Sequence, residues 1–203
     1  MKALLALLLL CTPLAASEPS YLVRVQVKFG TVGEIDNGSG SLIAPDKVLT
    51  AWHNLRNYRI GNLQVVLTDG TVVPATVIKK DRVPDLALLK LNRPTLVPYV
   101  RLAAEEPNKG DTVTVHGYPK AGAHKSVTGT VGMRFAATQA GLPILFRITA
   151  RGEPGMSGGP VINAEGEQCG VLFGSLAGAY ATGIEAVHRF LEGTNQPLGL
   201  LHD

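Results

Sequence analysis

Apolar and polar residues alternate with a period of two along much of this chain, as half-buried strands require. Tyr21 to Phe29 alternates from Val23 onward. A polar, glycine-rich turn is expected from Gly33 to Gly40, then short strands at Ser41–Ala44 and Val48–Thr50. The second runs straight into Ala51-Trp52-His53. Leu63–Leu67 and Thr71–Lys79 flank Thr68-Asp69-Gly70, whose Asp-Gly pair predicts a hairpin turn. Asp85–Leu91 is an almost wholly apolar strand entered from a turn at Pro84. Asn92 to Gly110 reads as a connection between two halves. Further strands are expected at Asp111–His116, Ser126–Arg134, Pro143–Ala150, Pro160–Asn163 and Gly170–Ser175, with a turn at Ala164–Glu167. Ile184–Glu192 predicts one short closing helix, and Gly193 onward a tail. Short strands at regular spacing point to an all-β sandwich or barrel.

Composition agrees with that reading. The 203 residues hold 23 Gly and 13 Pro, which suit many strands joined by turns. A formal net charge of +3, with Lys and Arg scattered rather than clustered, gives no footprint for nucleic acid. The first residues have the order of an export signal: Lys2, the apolar run Ala3–Leu10, and small residues at Ala15-Ala16-Ser17. The run is shorter than the roughly 20 residues a spanning helix needs, so no stable membrane insertion is expected after cleavage. Residues 1–17 are therefore expected to leave with the signal, placing the mature protein in a bacterial periplasm or outside the cell. Lipidation of Cys11 would call for a small residue before it, and Leu10 is not small. Removal of Cys11 leaves Cys169 alone, which excludes an intramolecular disulfide. Its apolar surroundings predict a buried small hydrophobe rather than a reactive thiol. No metal or other cofactor is expected: the histidines are dispersed and no metal-ligand spacing occurs.

The candidate chemistry centres on Gly152-Glu-Pro-Gly-Met-Ser-Gly-Gly-Pro160. Glycines on both sides of Ser157 permit a tight turn in which backbone amides converge on one point. A hydroxyl is a poor nucleophile unless a base takes its proton, and that base needs a group to fix its tautomer. His53, just past a strand end, and Asp85, at the mouth of a buried strand, supply the other two groups. Asp81 competes locally, but Lys79, Lys80 and Arg82 around it mark a solvated turn.

Thr50-Ala-Trp-His53, Asp85-Leu-Ala-Leu-Leu89 and Gly155-Met-Ser-Gly-Gly-Pro160 resemble the His, Asp and Ser boxes of trypsin-like serine peptidases. The wording is most similar to bacterial catalytic domains of the high-temperature-requirement type. Gly38-Ser-Gly-Ser-Leu-Ile43 and Val115-His-Gly-Tyr-Pro119 extend the likeness from about Val23 to Phe190. The resemblance implies two six-stranded antiparallel β-barrels with a site in the cleft between them. The first would occupy residues 18–100 and the second 101–192, with a tail at 193–203. It also implies Ser157 as nucleophile, His53 as general acid/base, Asp85 as orienting carboxylate, and Gly155 and Ser157 amides as the oxyanion hole. A polypeptide is the implied substrate, cleaved as by an endopeptidase.

The departures carry information too. Trp52 replaces a small residue and is placed to pack beside the triad or narrow the cleft. Met156 replaces the aspartate that pairs with a freed N-terminus in animal relatives, so no activation beyond signal removal is expected. No peptide-binding domain is expected after Glu192. Arg151, six residues before the serine, would favour an acidic side chain at the cleaved position if it reached the pocket floor. A differently built loop would leave it on the surface. Phe173, Gly174 and Ser175 are expected along the pocket wall, pairing with an extended peptide. The alternative is a silent protease-fold module that binds peptides or partners without turnover.

Overall fold

The computed structural model describes residues 17–120, 122–136, 144–174 and 179–192. The expected signal segment, except Ser17, and the expected tail at 193–203 lie outside the described residues. Among the described residues, twelve strands form two closed barrels, each of six antiparallel strands. The first contains β1 (Leu22–Phe29), β2 (Glu34–Ala44), β3 (Lys47–Ala51), β4 (Leu63–Val66), β5 (Val72–Asp81) and β6 (Leu86–Leu91). The second contains β7 (Thr112–Gly117), β8 (Lys125–Ala136), β9 (Ile144–Ile148), β10 (Pro160–Ile162), β11 (Gln168–Gly174) and β12 (Ala179–Gly183). Helix α1 (Ile184–Leu191) closes the second unit and buries Ile184, Ala186, Val187, Phe190 and Leu191.

The barrels pack through residues that face away from the first barrel's own core. Val48, Ala87, Leu89 and Leu91 fill the first core. Leu49, Leu86 and Leu88, one residue out of phase, join the core of the second barrel. Strands β3 and β6 therefore have apolar residues on both faces, which is why Leu86–Leu91 shows no alternation. Each such buried leucine contributes about 1.5–3 kcal/mol. Two hydrogen bonds cross the same seam: Ser41 Oγ donates to Gln168 Oε1 at 2.7 Å, and Thr182 Oγ1 donates to the Pro84 carbonyl at 2.8 Å. The seam thus fixes the entrance to β6, where Asp85 sits, against β12.

One local expectation needs correction. Glu34–Gly40 is not a turn but the first half of β2, paired with β1 from Phe29↔Glu34 to Val23↔Gly40. Its glycine and polar residues carry little strand preference, and the ladder to β1 overrides that. Trp52–Leu55 forms a single 3-10 turn after β3, which puts His53 just past the strand end as expected. Strand β12, in a stretch of small residues, has no counterpart in the pattern-based reading. Among the described residues, no helix is long and apolar enough to cross a membrane.

Candidate active site

Asp85 ends the turn before β6 with φ of 53°. It is the one described non-glycine residue with positive φ, a conformation that Asp tolerates better than most residues but that still costs energy. Its carbonyl accepts the Trp52 amide at 3.0 Å, joining the turn to the 3-10 segment across from it. The side chain, 5% exposed, then meets His53 twice. Oδ1 accepts the His53 backbone amide at 2.9 Å, and Oδ2 lies 2.6 Å from Nδ1. A carboxylate can only accept, so Nδ1 carries the proton and Nε2 of the neutral ring is left as an acceptor. The competing Asp81 accepts the Val83 amide in its own exposed turn.

Ser157 enters from the second barrel. The loop before it turns at Gly155, with φ of 99°, and the loop after it at Gly158, with φ of 84°. A β-carbon at Gly155 would lie 2.6 Å from the Lys120 amide nitrogen and 2.7 Å from the Tyr118 carbonyl. At Gly158 it would run into the Ser39 carbonyl and the Thr50 hydroxyl. Both positions therefore need glycine for space as well as for backbone angle. Met156 is fully buried between them.

The first barrel grips this loop. The Ser157 carbonyl accepts the Ser39 amide and Asn54 Nδ2, each at 2.9 Å. Asn54 Nδ2 also reaches Thr50 Oγ1 at 3.1 Å, and Thr50 Oγ1 donates to the Ser39 carbonyl at 2.6 Å. Ser39 Oγ donates to the Gly155 carbonyl at 2.8 Å. Gly158 N–H is held by the Leu172 carbonyl at 2.8 Å and Leu172 N–H by the Gly159 carbonyl at 2.9 Å. Among the described residues, the amides of Gly155 and Ser157 donate to no protein acceptor.

His53 and Ser157 line one open cavity of about 240 Å³, together with Asp36, Asn37, Asn54, Arg56, Lys120, Pro154 and Gly155. His53 Nε2 and the Ser157 hydroxyl share this cavity without a hydrogen bond between them. Phe173 stands edge-on to the His53 ring, with centroids 6.3 Å apart and planes at 86°. Gly174 is half-buried beside it, and Ser175 lies outside the described residues. Arg151 is exposed and does not line the cavity. Trp52 does not narrow that cavity either: its ring sits 5.7 Å from the Arg82 guanidinium on the neighbouring turn. Cys169 is fully buried, and burial pushes its thiol up to about 12. Among the described residues, no cluster of His, Cys, Asp and Glu could hold a metal ion.

Ser39 and Asn54 are the site residues that sequence reasoning did not single out. The signals were adjacency to His53 for Asn54, and for Ser39 a place between two glycines. Neither reveals a partner more than 100 residues away.

Comparison with known proteins places this arrangement in context. The family model described as "Trypsin-like peptidase domain" matches residues 38–171. "Serine protease Rv3671c" of Mycobacterium tuberculosis is 31% identical over 202 residues, covering 91% of this chain and 49% of that protein. "Probable periplasmic serine endoprotease DegP-like" of Chlamydia pneumoniae is 33% identical over 153 residues, covering 72% of this chain and 30% of that protein. The chain thus spans about half the length of the first of these relatives, and less of the second. The crystal structure of the Rv3671c protease in its active form superimposes with a TM-score of 0.76 at 26% identity. The match covers 89% of this chain and 84% of that one. An inactive form of the same protease superimposes with a TM-score of 0.72 at 25% identity, over 87% of this chain and 90% of that one. With a family match over most of the described chain and both barrels in place, the chain belongs to the trypsin-like serine peptidases.

Proposed function

We propose that this protein is an exported endopeptidase that cleaves polypeptides through an acyl-enzyme on Ser157. The observation that carries the reading is the double hold of Asp85 on His53, which leaves Nε2 as the free acceptor of a ring that lines one cavity with Ser157. As the Ser157 oxygen bonds to the scissile carbonyl carbon, its proton passes to His53 Nε2. The unpartnered amides of Gly155 and Ser157 receive the oxygen as it becomes negative. The C–N bond then breaks and Nε2 returns the proton to the departing amine. Water repeats the sequence on the acyl group, with its proton passing through His53, and Ser157 is restored.

In this reading Phe173, Gly174 and Ser175 form the wall of the pocket for the acyl side, supported by the edge-on contact of Phe173 with the His53 ring. Of the four pocket residues proposed, Arg151 alone would give that side a charge preference, for an acidic residue at the cleaved position. Export rests on the order of residues 1–17, with the periplasmic description of the Chlamydia relative in support. A folded sample should digest fluorescein-labelled casein, and Ser157→Ala and His53→Ala should each lose the activity. Peptide-library digestion with a mass-spectrometric readout then tests the Arg151 preference.

The second reading is a module that binds peptides without turning them over. The missing hydrogen bond between His53 Nε2 and the Ser157 hydroxyl speaks for it, although such bonds are often long until substrate arrives. Casein binding by wild type with no cleavage would favour it.

A further inference from the structure

Ser39 turns its backbone amide and its hydroxyl to the second barrel, onto the segment around Ser157 and the Tyr118 backbone beside it. It is completely buried in β2, on the first barrel, while that segment belongs to the second. Its amide donates to the Ser157 carbonyl at 2.9 Å, and its carbonyl accepts from Thr50 Oγ1 at 2.6 Å. Its hydroxyl accepts the Tyr118 amide at 2.8 Å and donates to the Gly155 carbonyl at 2.8 Å. One side chain oxygen thus joins the two strands of backbone that flank the Gly155 turn, spending its single proton on Gly155.

The Gly155 carbonyl belongs to the peptide unit that connects Gly155 to Met156. Glycine at φ of 99° has wide backbone freedom, so the orientation of that peptide plane depends on what holds its two ends. The Met156 N–H end donates to the Glu153 carbonyl at 3.0 Å inside the same loop, and the carbonyl end is held from the other barrel by Ser39. Rotation would alter the direction of the neighbouring Gly155 and Ser157 amides, which must converge on one oxygen. The Tyr118 side of the bridge is itself fixed. The phenol is hydrogen-bonded to the Glu18 carboxylate, and the Arg24 guanidinium lies 4.3 Å from the ring centroid. Arg24 Nη2 is held in turn by the Gly122 carbonyl at 3.0 Å.

We propose that Ser39 is a positioning residue: its hydroxyl clamps the Gly155–Met156 peptide between barrels so that the oxyanion hole is formed before substrate arrives. This rests on the proposed acyl-enzyme function. A clamp acts on the transition state, where charge sits on the oxygen, and hardly on the bound substrate. Deleting an oxyanion donor outright costs about 10²–10³ in kcat, so releasing the peptide that aims the donors should cost somewhat less, about 10–100-fold.

The test compares wild type with Ser39→Ala and Ser39→Gly, two variants that lack the hydroxyl but differ in packing. Initial rates on fluorescein-labelled casein separate kcat from KM. The labelling rate of Ser157 by a fluorophosphonate, whose phosphoryl oxygen occupies the same hole, gives a second readout, and thermal melting gives the folded fraction. Both variants should lose about 10–100-fold in kcat, with KM within threefold. Labelling should slow in step with kcat, and the folded fraction at assay temperature should stay above nine-tenths. Unchanged kcat and labelling in either folded variant would overturn the proposal, as would a loss confined to KM or one matching the unfolded fraction. A wild type that neither cleaves nor labels would instead remove the proposed function, and this inference with it.

Discussion

Replacing Asp85 by Asn isolates the role of charge and tautomer at almost constant shape. The two carboxylate oxygens have different obligations. Oδ1 accepts the His53 backbone amide, a group that can only donate. In Asp85→Asn the side-chain oxygen must therefore stay at that position, which turns the NH2 group toward Nδ1, 2.6 Å from Oδ2 in the native pair. Nδ1 must then accept, so the ring proton moves to Nε2, the atom that has to take the Ser157 proton. Restoring the productive tautomer sets Nδ1–H against the Asn NH2, two buried donors with no acceptor between them. At about 1–3 kcal/mol for each unsatisfied buried donor, the penalty is about 2–6 kcal/mol. At about 1.4 kcal/mol per decade, that is a fall of about 10–10⁴ in kcat. The assay is casein hydrolysis at neutral pH, with far-ultraviolet circular dichroism to verify the fold. A folded Asp85→Asn protein that keeps more than a tenth of wild-type kcat would refute the tautomer reasoning.

Other consequences follow from the same geometry. Gly158→Ala places a methyl against the Ser39 carbonyl and the Thr50 hydroxyl at a φ of 84°, so urea denaturation should show a loss of about 2 kcal/mol or more; unchanged stability would contradict the close approach. Burial, with His124 stacked beside it, holds the His116 imidazole down at about 4. Because the unfolded chain protonates this residue first, near pH 6.5, its contribution is intact above about pH 6.5. It is lost progressively toward pH 4, by up to about 3 kcal/mol. His116→Gln should flatten the acid limb of stability measured by denaturation at pH 7 and pH 4.5, and an unaltered limb would remove this account. Cys169, with its thiol pushed up to about 12, should stay unmodified by iodoacetamide in the native state, and a native-state adduct seen by mass spectrometry would contradict its burial.

The strand pattern was legible wherever one face of a strand meets a core and the other meets water, as in β1 and β7. Helix α1 was equally readable, because its buried positions recur at helical spacing. The first half of β2 was not, since Glu34–Gly40 has turn-like composition and is set by its ladder to β1 rather than by alternating apolar side chains. Nor was β12, whose small residues carry no alternation. His53, Asp85 and Ser157 stood out because their chemistry is unusual at strand ends and turns, and the fold brings all three to one region. Arg151 is exposed and outside the cavity that His53 and Ser157 line, and counting back from the serine does not fix the course of the loop that carries it. The grip of Ser39 and Asn54 on the Ser157 loop was invisible because hydrogen bonds between barrels leave no local pattern.

The central claim is that Ser157 is a nucleophile made reactive by His53. Its most direct measurement is intact-mass spectrometry of the folded protein after exposure to a fluorophosphonate. The account predicts one covalent adduct, mapped by peptide digestion to Ser157, absent from Ser157→Ala and strongly slowed in His53→Ala. A folded wild-type protein that acquires no adduct, or acquires it at another residue, would contradict it.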